Sequence, residues 1–115
     1  MKAHEIAREW VDAWNSHDLD RIMSHYDEDF EMRSQFIRTL VGEPSGTLRG
    51  KPAVRAYWER ALALNPDLHF EFVAVAAGVD SIAINYRNQR GMNCIEVLEF
   101  GPSGKVRSAR AHYAG

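Results

Sequence analysis

One cysteine, Cys94, is all the sequence contains, so no internal disulfide can form, and a reducing cytoplasm is the simplest compartment for the protein. Basic surplus is missing too. A formal net charge of -2 argues against a nucleic-acid partner, which would need a clear cationic stripe. No apolar run approaches the roughly 20 residues that cross a bilayer, and the N-terminal Met1-Lys2-Ala3-His4-Glu5 lacks the apolar centre of a signal peptide. Glycine-rich phosphate loops, repeats and low-complexity linkers are absent. The histidines His4, His17, His25, His69 and His112 show neither the i, i+4 nor the H-x-H spacing of a metal site, so no cofactor is implied. With 115 residues, 45% of them hydrophobic, the chain reads as a single domain over residues 1–115 that buries one core.

What the sequence does contain is a change of period. Ile6, Trp10, Ala13 and Trp14 recur at helical spacing, and Asn15-Ser16-His17 ends that helix. Asp18 is an N-cap for a second, short helix carrying Leu19, Ile22, Met23 and Tyr26 on one stripe. From Phe30 the pattern alternates: Phe30, Met32, Ser34 and Phe36 predict one buried strand face. Ile37 to Gly50, with Gly42, Pro44, Gly46 and Gly50, reads as an irregular hairpin or rim loop. Lys51-Pro52 opens a third helix that buries Val54, Tyr57 and Trp58 and stops at Asn65-Pro66. Four strands follow, near Leu68–Ala77, Ser81–Arg87, Met92–Phe100 and Lys105–Tyr113. Helices first and strands later predict an α+β fold with an antiparallel sheet. Arg8/Asp12 and Arg55/Glu59, each at i, i+4, predict solvated pairs on helix faces.

The later strands are apolar on both faces, and three short helices cover only one. The other face is expected to meet a second copy, giving a homodimer through the outer side of the sheet. Glu96 stands out because Cys94, Leu98 and Phe100 share its face. A carboxyl there is desolvated and becomes either a poised acid–base group or half of an ion pair with Arg87, Arg107 or Arg110. Trp10, Trp14, Tyr26 and Trp58 read either as plain core or as the wall of an apolar pocket. Ser34 either orients a ligand or bonds to nearby backbone. On the last strand Ala109, Ala111 and Tyr113 share one face, and Arg110 and His112 the other.

The segments Trp10-Val-Asp-Ala-Trp14-Asn-Ser-His-Asp18-Leu-Asp-Arg-Ile22, Tyr26-Asp-Glu-Asp29-Phe30, Leu48-Arg-Gly50-Lys-Pro-Ala-Val54-Arg-Ala-Tyr57-Trp58 and Phe100-Gly-Pro-Ser-Gly104-Lys-Val106 span nearly the whole chain. In this order they resemble the nuclear transport factor 2-like superfamily, and within it the SnoaL-like and ketosteroid-isomerase-like branches. The resemblance implies a cone-shaped curved antiparallel sheet wrapped around three N-terminal helices, a pocket at the open end of the cone, and commonly a homodimer. It implies a small apolar ligand, polyketide- or steroid-like. Carried over residue by residue, the isomerase tyrosine donor falls on Trp10, its aspartate base on Ser34, its supporting tyrosine on Trp58, and its second oxyanion-hole carboxyl on Glu96. Tyr113 falls on the inner face. The expected site is therefore Glu96 as acid–base group with Trp10, Tyr26, Ser34, Trp58 and Tyr113 as ligand contacts, and Ser34 replaces the residue that steroid isomerisation needs. The alternative is a non-catalytic ligand-binding or protein-interaction module, since this scaffold hosts both.

Overall fold

A computed structural model of the chain describes residues 2–114; Met1 and Gly115, the ends of the expected single domain, lie outside the described residues. Helix α1 (Ala3–Ser16) buries Ala7, Trp10, Val11, Ala13 and Trp14, the stripe its 3.6-residue period requires. His17 ends it in the left-handed region, and Asp18 then caps α2 (Leu19–Met23) by accepting from the backbone N–H groups of Asp20 and Arg21. Strand β1 (Tyr26–Arg33), helix α3 (Gln35–Leu40), strand β2 (Thr47–Arg49) and helix α4 (Lys51–Leu64) follow. The meander β3 (Glu71–Gly78), β4 (Ser81–Arg87), β5 (Asn93–Phe100) and β6 (Val106–Tyr113) completes the chain.

The six strands form one curved, unclosed sheet in the order β2-β1-β6-β5-β4-β3, and the helices pack on its inner side. The α+β architecture is the one the sequence predicts, but α3 and β2 lie in the stretch read as a rim loop, making four helices among the described residues, and β1 differs in two ways. First, β1 lies parallel to β6, so the sheet is mixed. These strands stand at opposite ends of the chain with no hairpin between them, so nothing local dictates their relative direction. Second, β1 stops at Arg33, one residue before the predicted alternation reaches Ser34 and Phe36. Ser34 instead N-caps α3, its hydroxyl accepting from the Phe36 N–H at 3.2 Å. Tyr26, placed by periodicity on the second helix, opens β1.

Neither predicted i, i+4 pair is formed. Arg55 reaches Asp20 on α2 at 2.7 Å, and the Arg8 guanidinium lies over the Phe72 ring at 4.7 Å. Such surface pairings contribute only about 0–1 kcal/mol, so long side chains redistribute readily.

Candidate functional site

The inner face of the sheet is set by register. Ile84, Glu96 and Ala111 stand side by side on β4, β5 and β6, and Tyr86, Cys94 and Tyr113 form the next rung. Ala111 and Ala109 present only methyl groups. Beside Glu96 the sheet is therefore shallow, and space opens between it and α1 and α4.

That space is a cavity of about 250 Å³. Its helical wall is aromatic: Trp10 and Trp14 from α1, Tyr57 and Trp58 from α4. Phe70, Tyr86, Met92, Glu96 and Tyr113 supply the sheet side, while Phe36 and Leu40 of α3 close one flank. Asn65, Asn88, Gln89 and Arg90 also line it, where the C-cap of α4 approaches the β4–β5 turn. The aromatic packing is continuous, with Trp14 edge-on to Trp58 at 5.0 Å and Phe70 against Tyr86 at 4.4 Å.

Glu96 is the one carboxylate among these residues. It is buried at 4% exposure, and neither Arg87, Arg107 nor Arg110 pairs with it; Arg107 is held by Glu99 at 2.9 Å instead. Loss of water without a compensating partner pushes its pKa up to about 8, so the group is largely protonated at neutral pH. The phenols around it stay protonated as well. Burial, followed by the nearby Glu96 charge, raises Tyr86 and Tyr113; burial also raises Tyr57, against a smaller lowering by the Ser34 hydroxyl. Cys94 is a buried thiol raised by desolvation, with its Sγ directed to the Met92 carbonyl. A neutral carboxylic acid among protonated phenols is a set of hydrogen-bond donors on a largely apolar wall.

The expected site residues are distributed unevenly. Trp10, Trp58, Glu96 and Tyr113 all line the cavity. Tyr26 is fully buried behind the lining, where its hydroxyl accepts from the Trp10 indole N–H at 2.9 Å. The Trp14 indole N–H lies beside the same hydroxyl but has no hydrogen-bond partner among the described residues. Ser34 sits outside the lining, at the cap of α3 and close to Tyr57 and Tyr113. Sequence reasoning missed Tyr57, Tyr86, Phe70 and Arg90 as cavity residues. Tyr86 was within reach: it shares its alternation with Ile82 and Ile84, and pairing across the β4–β5 turn sets it one rung from Glu96. Arg90 carried no signal, since a charged residue in a turn is ordinary.

A curved, unclosed sheet packed on helices is the fold that this chain shares with SnoaL-like proteins. The chain belongs to the SnoaL-like family, whose domain matches residues 7–112. It is similar to a SnoaL-like protein of unknown function from Burkholderia thailandensis, at 57% identity and TM-score 0.94 over 97% of this chain and 93% of that one. The fold is shared with SalBIII, an epoxide hydrolase/cyclase-like enzyme of pyran ring formation in the polyether salinomycin (22% identity, TM-score 0.76, 96% of this chain and 89% of that one). It is shared too with a SnoaL-like protein from Agrobacterium tumefaciens (15% identity, TM-score 0.77, 98% and 97% covered). No curated protein matches the chain.

Proposed function

We propose that this protein binds a small, largely apolar molecule in the cavity and uses Glu96 as its acid–base group or hydrogen-bond donor. The observation that carries the reading is the buried, unpaired Glu96 carboxyl on the cavity wall. Burying a carboxyl without a partner is unfavourable, and a purely structural core position would be filled better by leucine or methionine. As a neutral acid Glu96 donates to a carbonyl or ether oxygen. After giving up that proton it is a base in a site from which water is largely excluded. Trp10, Trp58 and Tyr113 shape the space for a flat ligand, while Tyr26 and Ser34 hold the lining in place from behind.

Isomerase-, cyclase- or hydrolase-type proton transfer fits this arrangement. A non-catalytic binding module is favoured by a different observation: Ser34 spends its hydroxyl on capping α3, and no second carboxyl faces Glu96. In either reading the protein acts in the cytoplasm as a homodimer joined through the outer face of the sheet. Support for the second copy comes from Ile95 and Val73, 41% and 43% exposed.

Carbon-detected NMR titration of the Glu96 carboxyl tests the assignment, with an expected midpoint near 8. A midpoint in the ordinary carboxylate range removes Glu96 from the site. Glu96→Gln then separates the two readings: turnover lost while ligand binding persists marks an enzyme.

A further inference from the structure

Three features limit what can occupy this cavity, and together they name a chemical class. The first is size. A cavity of roughly 150 Å³ holds a single benzene ring, and drug-sized ligands occupy about 300–1,000 Å³. At about 250 Å³ this one suits one or two rings with a short substituent and is small for four fused rings.

The second is charge. Among the lining residues the only carboxylic acid is Glu96, and the only cation is Arg90. Arg90 is exposed and forms no ion pair among the described residues; its guanidinium makes one long contact, 3.5 Å, to Asn65 Oδ1. Gln89 reaches the same oxygen at 3.4 Å, so one acceptor is shared by two weak donors and either is readily recruited elsewhere.

The third is placement. Arg90 belongs to a fixed turn: Asn88 Oδ1 accepts from the backbone N–H groups of both Arg90 and Met92 at 3.0 Å, and Gly91 takes the left-handed conformation. This turn meets the α4 C-cap at the polar end of a cavity whose remaining walls are mostly aromatic and aliphatic. An apolar body with one anionic end matches that polarity, and the planar guanidinium suits a carboxylate.

We propose that the occupant is a small ring compound bearing a single carboxylate, with the ring seated against Trp10, Trp14 and Trp58 and the carboxylate held by Arg90. Arg90 is then a specificity-determining residue and does not touch the reacting atoms at Glu96. The inference rests on the cavity being the ligand site and adds to it the size and charge of the ligand.

Calorimetric titration at pH 7 with hydrocinnamate, its neutral isostere hydrocinnamamide, and the four-ring pyrenebutanoate tests each part. The acid is expected to bind about threefold to fivefold more tightly than the amide, as a charge-assisted bond to an exposed arginine implies, and pyrenebutanoate is expected not to bind. Arg90→Gln removes the preference while amide binding stays, and Ala61→Phe, which fills the cavity from α4, abolishes binding of both small probes. Equal affinity for acid and amide, or a preference that survives Arg90→Gln, overturns the carboxylate anchor and leaves cavity binding intact. Binding of pyrenebutanoate overturns the size limit. Failure of both small probes at millimolar concentration, or binding that survives Ala61→Phe, overturns the cavity as the ligand site and this inference with it.

Discussion

Glu96 links the function of this protein to its stability. In the folded chain it keeps its proton up to about pH 8, whereas an unfolded carboxyl releases it near 4.5. Between those values the folded state binds more protons than the unfolded one, so stability falls as pH rises, at on the order of 1 kcal/mol per pH unit. The contribution is complete below about pH 4.5 and gone above about pH 8. Tyr57, Tyr86, Tyr113 and Cys94 pack around Glu96, and burial raises all four, so none of them ionises in that window. Glu96→Gln keeps the shape and removes the titration. Urea unfolding at pH 5 and pH 8.5 is expected to show the parent losing stability between the two, with the variant flat by comparison and more stable than the parent at pH 8.5. Parallel pH profiles would mean that Glu96 is solvated or paired. The sequence went far with this residue, because its apolar neighbours on one strand face predicted desolvation. Choosing between an ion pair and an open cavity required knowing where Arg107 and Arg110 point, and both lie on the far face of β6.

Among the elements, α2 is the most dependent on a single side chain. Five residues are too few for a helix to persist by propensity, so its cap and its buried Ile22 and Met23 must hold it. Asp18 satisfies two otherwise unpaired N–H groups, at 3.1 and 3.2 Å. Asp18→Ala should therefore lower unfolding free energy by about 1 kcal/mol in denaturant titration; an unchanged midpoint would show that packing alone fixes α2. This cap was legible, as were the bounds of α4 and β4, because each carries a local signal in Pro52, Asn65-Pro66 or strict alternation. The stretch containing α3 was not legible. Its glycines and proline describe a rim loop correctly on average, yet Ile37, fully buried, docks one helical turn within it. That is a tertiary contact overriding weak local preference. The same helix explains Ser34: two residues before Phe36, its hydroxyl is better placed to cap than to face a ligand.

For the whole molecule, the question is what covers the outer face of the sheet. Ile95 sits between Asn85 and His112 in the register, on the side of the sheet away from the helices. Light scattering at micromolar concentration is expected to give a dimer mass for the parent chain and a monomer mass for Ile95→Glu, since a charge at the centre of a sheet-to-sheet contact is desolvated without a partner. A monomeric parent overturns the proposed assembly. Among the described residues no helix is long and apolar enough to cross a membrane.

The sequence by itself determined the α+β class, the periods and most boundaries of the elements, the sorting of β4 to β6 residues into two faces, and the desolvation of Glu96. These follow from nearest neighbours along one strand or helix, where steric and hydrophobic patterns act over a few residues. The tertiary structure alone decided that β1 runs parallel to β6, that Tyr26 and Ser34 stand behind the cavity, and that Glu96 is unpaired. It alone brought Arg90 and Asn65, 25 residues apart, to one end of that cavity. Such outcomes depend on which distant segments share space, and side-chain spacing along the chain carries no record of that.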